Sequence, residues 1–377
     1  MSTRGSVESP KHELPELSLF RGGHSTIASL TGKGRFLKVL MDFKNRCNLK
    51  CIMCHYSLPG RNVPLNEISI EEFERLAPHI LPYVSYLGLS CSDEPLLYCD
   101  FFKTIDIVKK YDVPFVYYVT NATLLMEKAI IETINAKVNL VMISIDGATK
   151  KTFEDIRRNA NFDKVLTNIR ILRDKKKEMN SPLPKLRFNC TMMRSNIEEI
   201  EDMVRLVKEL GGEEIDFRHV IPFGGLDMDK ESLFHFKELS NRQFDKARAL
   251  ANELGLEIAD CPPNFTLDEQ EPVKEIAAKR DIEGRLAEKN LREICKMPWT
   301  MTVINPDGNV MPCTYWYTHE PMGNLKRESF EQVWNGEKYQ RLRRELLTNE
   351  LGPNCRHCPA MGYGKIDKKE SFEVRNT

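Results

Sequence analysis

The stretch Phe36-Leu-Lys-Val-Leu-Met-Asp-Phe43, followed closely by Cys47-Asn-Leu-Lys-Cys-Ile-Met-Cys54, decides the fold of this 377-residue chain. Residues 36–43 have the apolar composition of a buried strand, which ends just before the cysteines. Three local thiolates can hold three irons of a four-iron cluster and leave the fourth iron open. A zinc site that borrows a distant fourth ligand, such as His55, is the alternative that the spacing leaves open.

Short apolar runs alternate with amphipathic stretches beyond this loop. The alternation predicts an α/β fold, in which right-handed βα units build a parallel sheet. We expect strands at 36–43, 83–89, 114–120, 138–145, 186–192 and 214–220. The helices predicted between them cover 70–79, 100–111, 125–135, 150–176 and 196–210.

The pattern changes after about residue 220. There we expect a helix at 240–254, a short strand at 256–259, a charged helix at 270–293, a hairpin at 301–311 and a helix at 329–348. Asp307-Gly308 supplies the turn of the hairpin. The predicted units are an N-terminal extension (1–35), an α/β barrel (36–235), a helical bridge (236–294), a small hairpin and helix domain (295–365) and a tail (366–377).

Composition excludes several classes of function. Lys and Arg number 55, equal to Asp and Glu, so the net charge of zero disfavours binding to nucleic acid. No apolar run approaches the roughly 18–20 residues of a membrane span, and the first residues lack a secretory signal. These features predict a cytoplasmic protein. Eleven cysteines in such a chain indicate metal binding or catalysis rather than disulfides.

Further motifs follow the cysteine loop in chain order. They are Leu89-Ser-Cys-Ser-Asp-Glu-Pro95, Thr120-Asn121-Ala122, Ile143-Ser-Ile-Asp-Gly-Ala-Thr149 and Phe153-Glu-Asp-Ile-Arg157. The first three lie at the carboxyl ends of predicted strands, which meet at the edge where α/β folds bind ligands. A single Ser or Asp at such a place is often only a helix cap. The ordered set is more specific than any one of its members.

Together, the CxxxCxxC loop and these motifs resemble the radical S-adenosylmethionine (SAM) enzymes. The resemblance implies a partial (β/α)6 barrel, with SAM on the open iron of a [4Fe-4S] cluster held by Cys47, Cys51 and Cys54. In that family, one electron splits SAM into methionine and a 5′-deoxyadenosyl radical, which abstracts hydrogen from the substrate. Ser92 and Asp93 replace two glycines of the family. The SAM contacts that we expect from the resemblance are Met53, Tyr56, Glu94, Asn121, Ser144 and Arg157.

A second group of cysteines lies near the C-terminus. Its members are Cys295, Cys313, Cys355 and Cys358. Four thiolates complete a closed site, which on chemistry alone suits zinc or an iron–sulfur cluster. With Trp299, Gly323-Asn324 and Trp334, the segment resembles the auxiliary-cluster module called SPASM, or its shorter Twitch form. The resemblance implies one auxiliary [4Fe-4S] cluster, hence two clusters in all, and a closed site favours electron transfer.

Four cysteines remain outside these groups. Each is either a small buried apolar residue or a hydrogen donor that quenches a substrate radical. Cys190 and Cys261 are our candidate hydrogen donors, and Cys91 lies beside the SAM-binding segment. Strand alternation suggests that Arg218 faces the barrel, where it would contact a polar substrate.

These features predict a radical SAM oxidoreductase or epimerase acting on a small polar, sugar-like or cyclitol-like substrate. A flavodoxin-type or ferredoxin-type electron donor is expected. The alternative is a maturase that modifies a ribosomally made peptide or a protein side chain. Many peptide maturases carry an N-terminal leader-binding domain, for which the 35 residues before the first strand are too few. A non-enzymatic iron–sulfur or zinc protein leaves the ordered motifs unexplained.

Overall fold

The computed structural model describes residues 34–222, 225–265, 267, 295–316, 320–348, 350–356 and 358. The predicted helix at 270–293, the tail and nearly all of the N-terminal extension lie outside the described residues. No helix in the described part is both long and apolar enough to cross a membrane.

A mixed sheet of ten strands forms the centre of the protein, and two further strands make a short ribbon. The strands are β1 (Leu37–Met41), β2 (Lys50–Cys51), β3 (Val84–Gly88), β4 (Phe115–Thr120), β5 (Leu140–Ser144), β6 (Arg157–Arg158), β7 (Lys185–Met192), β8 (Glu214–His219), β9 (Glu257–Asp260), β10 (Met301–Ile304), β11 (Asn309–Met311) and β12 (Gly323–Asn324). Their order in the sheet is β12-β11-β10-β1-β3-β4-β5-β7-β8-β9, and β2 pairs with β6. All six predicted barrel strands are present and pair in parallel.

Helices follow the strands along the chain. They cover Ile70–Ile80, Phe101–Lys109, Glu127–Asn135, Lys150–Ile156, Phe162–Glu178, Ile200–Glu209, Lys237–Glu253, Met297–Thr300, Phe330–Trp334, Glu337–Thr348 and Pro353–Arg356. The first begins with a capping box, in which Ser69 accepts the Glu72 N–H and the Glu72 carboxylate accepts the Ser69 N–H.

The two faces of the sheet differ in burial. On β7, Leu186, Phe188, Cys190 and Met192 are at most 1% exposed, whereas the alternating residues are partly exposed. Phe188 belongs to the face covered by helix Ile200–Glu209, because a Cβ at Gly212 would meet both Phe188 and Val207 of that helix. The other face lines the interior of the barrel, which water reaches.

The C-terminal hairpin continues the barrel sheet. β10 pairs in parallel with β1, with Met301 opposite Lys38 and Ile304 opposite Met41. β11 then returns antiparallel to β10 through a turn in which Gly308 has a φ of +85°. At the opposite edge of the sheet, β9 pairs in parallel with β8. This strand belongs to the segment 236–294 that we expected to be a helical bridge. The predicted domain limits stay predictions.

Two predictions of a continuous helix were wrong, because the structure interrupts each of the two helices. The helix expected at 150–176 is interrupted at β6, because Arg157 leaves the helical conformation (φ −96°, ψ 66°) and Asn159 has a φ of +72°. The helix expected at 329–348 breaks at Asn335-Gly336, between Phe330–Trp334 and Glu337–Thr348. The first break has a structural role, since it frees the Arg157 backbone to pair with the cysteine loop.

Candidate active site

The cysteine loop lies beyond the carboxyl end of β1 and is fixed by pairing with β6. Cys51 is opposite Arg157 in this short antiparallel ribbon, and the Ile52 N–H donates to the Ile156 carbonyl at 2.9 Å. The loop also reaches the end of β4, where Asn121 Nδ2 donates to Asn48 Oδ1 at 2.9 Å. The sequence motifs therefore meet at one end of the barrel, as expected.

The three loop thiols are arranged to hold a cluster. Cys47 Sγ accepts from the Leu49 N–H at 3.5 Å and from Asn121 Nδ2 at 3.8 Å, and Arg157 Nη1 lies 4.0 Å from Cys51 Sγ. Burial is the main cause that raises the pKa of Cys47 and of Cys51 to about 11. Bound metal has to supply the positive charge that makes such buried thiols thiolates.

The donor set of the loop suits two kinds of metal centre. Three thiols supply three ligands of a four-iron cluster, and with His55, whose Nδ1 lies 3.9 Å from Cys54 Sγ, they could also supply four ligands of a zinc ion. The chemistry of the donors therefore fits an iron–sulfur cluster without excluding zinc.

Glu94 is a buried carboxylate at the edge of the loop. It is 2% exposed and accepts the Thr120 hydroxyl and the Asn121 N–H, both at 2.8 Å. Burial raises the pKa of Glu94 to about 7, and those hydrogen bonds oppose the rise. A bound ammonium group would offset this cost of burial. Glu94 is thus suited to the amino group of SAM, the role that the resemblance implies.

Asp42 is a site residue that sequence reasoning missed. It follows β1 directly, is 2% exposed and accepts the backbone N–H groups of Cys91 at 2.7 Å and of Ser92 at 3.2 Å. The Ser92 hydroxyl donates to the same carboxylate at 3.0 Å. Burial raises the pKa of Asp42, and these donors oppose the rise. Its position at a strand end was the only signal in the sequence.

Arg157 is buried in an ion pair. Its Nη2 lies 2.7 Å from Asp146 Oδ2, and Asp146 also accepts the Thr191 N–H at 2.7 Å. The pair links β6 to β5 and β7 under the cysteine loop. Ser144 ends β5 opposite Asn189, whose buried Oδ1 has no hydrogen-bond partner among the described residues. An orphaned polar atom beside Ser144 suits a bound polar group.

The other two expected SAM contacts lie in the cysteine loop itself. Met53 packs against a small apolar cluster that contains Ile156 and Met193. The Tyr56 hydroxyl donates to Asp93, and the Arg61 guanidinium lies 4.4 Å from the centre of the Tyr56 ring. Both residues are close to the motif segments, so the structure brings all six expected contacts to the same end of the barrel.

The predicted catalytic residues lie in different environments. Arg218 is on the interior face of β8, because its neighbour Phe217 packs on Phe244 of the covering helix. Arg218 donates to both oxygens of Asp216, at 3.0 and 2.8 Å. Cys190 lies on the opposite, helix-covered face of β7 at 1% exposure, which argues against a hydrogen-donor role. The structure offers that thiol no route to a substrate in the barrel.

Cys261 and Cys91 also lie in different environments. Cys261 follows β9 and is partly exposed beside Arg248, a residue of helix Lys237–Glu253, whose hydrogen bond lowers a thiol pKa that burial raises. Cys91 follows β3, and its backbone N–H donates to Asp42. Burial raises the pKa of the Cys91 thiol well above the ordinary value, and the charges of Asp42, Asp93 and Cys313 act in the same direction.

The four C-terminal cysteines also come together. Cys355 and Cys358 share a turn, in which the Cys358 N–H donates to the Cys355 carbonyl at 3.3 Å. The pKa of Cys313 and that of Cys355 are raised to about 12, mainly by burial and in part by the charges of the neighbouring cysteines, Cys295 among them. Four half-buried thiols that affect one another's charge fit a closed cluster.

Comparison with known proteins agrees with this geometry. A family model for the radical SAM superfamily matches residues 41–207, and one for the SPASM iron–sulfur cluster-binding domain matches residues 295–359. The chain thus carries a radical SAM domain followed by a SPASM domain. Its cofactors are SAM and two [4Fe-4S] clusters, one in each matched region. The shorter Twitch form of the C-terminal domain stays a prediction.

Two curated relatives span most of this radical SAM protein. The AdoMet-dependent heme synthase of Methanosarcina barkeri is 25% identical over 84% of this chain and 89% of its own length. The subtilosin biosynthesis protein AlbA of Bacillus subtilis is 24% identical over 91% of this chain and 70% of its own.

Solved structures share the fold. Streptococcus suis SuiB bound to its precursor peptide SuiA superposes with a TM-score of 0.62 at 17% identity, over 82% of this chain and 67% of SuiB. The protein anSMEcpe with bound AdoMet gives a TM-score of 0.61 at 18% identity, over 85% of this chain and 83% of its own. At these identities the likeness establishes the partial barrel with its C-terminal extension, and no more.

Proposed function

We propose that this radical SAM protein oxidises a polar substrate bound inside the barrel, between its two cluster sites. The observation that supports the proposal is that the segment carrying Cys313 is joined to the barrel sheet beside the Cys47 loop. β10 pairs in parallel with β1, which leads into the Cys47 loop, and β11 carries the chain from β10 to Cys313.

The chain's own residues hold and orient the reactants. Glu94 and Asn121 would hold the amino-acid part of SAM, Ser144 and Arg157 its ribose and carboxylate, and Arg218 with Asp216 the polar substrate. When bound, SAM and the clusters supply one-electron chemistry: a 5′-deoxyadenosyl radical that removes hydrogen, and a closed cluster that accepts or returns an electron. Epimerisation would need a thiol donor beside the substrate, for which Cys91 is the remaining candidate, whereas the oxidation that we propose needs none.

The substrate class has two candidates. A small polar metabolite suits the charged interior, and the full-length match to a heme synthase is a match to an enzyme named for a small-molecule product. A peptide is the second candidate, because AlbA makes a bacteriocin and SuiB binds a precursor peptide. Nothing specific supports a sugar or cyclitol, which remains a prediction.

Deuterium transfer from substrate to 5′-deoxyadenosine tests the proposal. The reconstituted protein is incubated anaerobically with SAM, dithionite and a perdeuterated extract of the source cells, divided into small-molecule and peptide fractions. Deuterated 5′-deoxyadenosine with either fraction supports the proposal and identifies the class. Only unlabelled 5′-deoxyadenosine with both fractions would contradict it. In a separate reaction with an unlabelled extract in D2O, an oxidised product gains no carbon-bound deuterium, whereas an epimerised product gains one.

A further inference from the structure

We propose that the barrel binds a carboxylate group of its substrate through Lys38, Arg187 and Arg218. The inference rests on the proposed function, because it names the chemical class of the substrate for the same interior. It does not depend on which reaction follows.

Lys38 lies on the interior face of β1. Its neighbours Leu37 and Val39 are at most 1% exposed on the outer face, while Lys38 itself is exposed. Leu40, two residues on, shares the interior face with Tyr117: a Cβ at Gly88 would lie 2.6 Å from Leu40 and 2.8 Å from Tyr117. The ammonium of Lys38 therefore points into the barrel.

Lys38 has no carboxylate partner. Among the described residues, no Asp or Glu oxygen lies within 4 Å of its ammonium group, although most other lysines on this sheet and its helices are paired. Water reaches Lys38, yet burial is the main cause that lowers its pKa. Lys38 is therefore in contact with water and at the same time has protein on several sides.

The two arginines approach the same space from the opposite wall. β7 and β8 are separated from β1 by β3, β4 and β5 in the sheet of the partial barrel, so their interior faces lie across the barrel from β1. In agreement with this placement, the charges of Arg218 and Arg187 add to burial in lowering the pKa of Lys38. Arg187 and Arg218 alternate with outward-facing residues on β7 and β8, so they share the interior face. Three cations converging on one space are stabilised by an anion between them.

Carboxylates of the protein hydrogen-bond Arg187 and Arg218 but do not pair with Lys38. Arg187 donates to Glu214, and Arg218 to Asp216, so each guanidinium is oriented by one acidic partner. Asp260, on the edge strand β9, adds a further negative charge beside Arg218. In the described part of the chain these acids pair with the arginines and not with Lys38. The ammonium of Lys38 is thus the cation without an acidic partner, and the guanidinium groups face it across the barrel.

Planar carboxylates match this donor set. A guanidinium presents paired N–H donors to two oxygens, and the ammonium adds a point charge. The carboxylate belongs either to a small acid or to an acidic side chain of a peptide. Pairs of probes that differ only by carboxylate against amide separate the two sources.

Isothermal titration calorimetry provides the test. The protein carries both clusters and SAM but receives no reductant, so no turnover occurs. The probes are D-glucuronate with D-glucuronamide, and acetyl-Gly-Glu-Gly-amide with its Gln counterpart. We expect at least one acid to bind about tenfold more tightly than its amide. The Lys38→Met variant should lose this selectivity, Lys38→Arg should keep most of it, and Lys109→Met, on an outer helix, should match the wild type.

Each outcome has a defined meaning. Selectivity in the first probe pair indicates a small acid, and selectivity in the second a peptide carboxylate. Equal binding of acid and amide, selectivity that survives Lys38→Met, or no binding of any probe would overturn the inference. If Lys38→Met loses iron or unfolds, Arg218→Gln replaces it. Deuterium transfer without carboxylate selectivity would reject this inference alone, whereas its absence would reject the proposed function.

Discussion

The Asp42 carboxylate holds Ser92 by three contacts: the Ser92 N–H lies 3.2 Å from each oxygen, and the Ser92 hydroxyl donates at 3.0 Å. Ser92 stands where the radical SAM family has a glycine. The family uses that segment's backbone to hold SAM, and a side chain there needs a fixed place. Asp42 supplies it, because it anchors both the backbone and the hydroxyl to the end of β1.

Replacing Asp42 should therefore weaken SAM binding. In Asp42→Asn, an amide NH2 group faces backbone N–H donors, so one charged acceptor is lost. We expect the dissociation constant of SAM to rise about tenfold in equilibrium dialysis. Asp106→Asn, on an exposed helix, is the matched control. An unchanged dissociation constant in Asp42→Asn would show that Ser92 needs no such anchor.

Glu94 makes SAM binding depend on pH. Its pKa is raised to about 7, so the carboxylate becomes protonated as the pH falls through neutrality. A neutral carboxyl group cannot pair with the ammonium of SAM, and affinity should fall on the acid side. Between pH 8 and pH 6 we expect the dissociation constant to rise by up to about tenfold. Glu94→Gln should bind SAM more weakly at both pH values, and its affinity should no longer change with pH. If the affinity of Glu94→Gln still changes with pH, a group other than Glu94 is responsible for the pH dependence.

The Arg157–Asp146 pair should contribute strongly to stability. Both side chains are buried, and removal of Asp146 leaves an uncompensated cation. Breaking a buried pair in this way costs about 3–5 kcal/mol, which for Asp146→Ala predicts a melting temperature lower by roughly 5–10 °C. Asp163→Ala removes an exposed ion pair with Lys150 and should lower the melting temperature by less than about 2 °C. Equal changes of the melting temperature in the two variants would contradict the claim that the buried pair stabilises the protein more than the exposed pair.

Iron content distinguishes the two cluster sites. The wild type, reconstituted anaerobically, should hold about eight irons per chain, and Cys355→Ala about four. Cys99 is exposed and lies outside both groups, so Cys99→Ala should keep eight. Zinc in the C-terminal site, with about four irons in the wild type, would disprove the second cluster.

Local patterns predicted the barrel, but not how distant segments join. The six strands and the cysteine loop were predictable because apolar runs and CxxxCxxC are local signals. The pairing of Lys38 with Met301 was not, since alternation within a strand says nothing about its partner. The break at Asn335-Gly336 did carry a signal, as Asn-Gly commonly ends a helix.

The site residues divide in the same way, into those that local motifs indicate and those whose contacts only the fold creates. Glu94, Asn121 and Arg157 were predictable from ordered motifs, whereas Asp42 acts through a fold-dependent contact. The placement of Cys190 was readable: it alternates in step with Phe188 and Met192, which indicates the apolar face. The hydrogen-donor role of Cys190 stays a prediction, which this placement disfavours.

Formation of 5′-deoxyadenosine tests the central claim most directly. With both clusters present, SAM and dithionite should yield 5′-deoxyadenosine from the wild type and none from Cys51→Ala, measured by liquid chromatography and mass spectrometry. Cys355→Ala should still cleave SAM, because its first cluster is intact. A wild-type protein that holds about eight irons and binds SAM, yet forms no 5′-deoxyadenosine, would contradict the assignment of the barrel as a radical SAM active site.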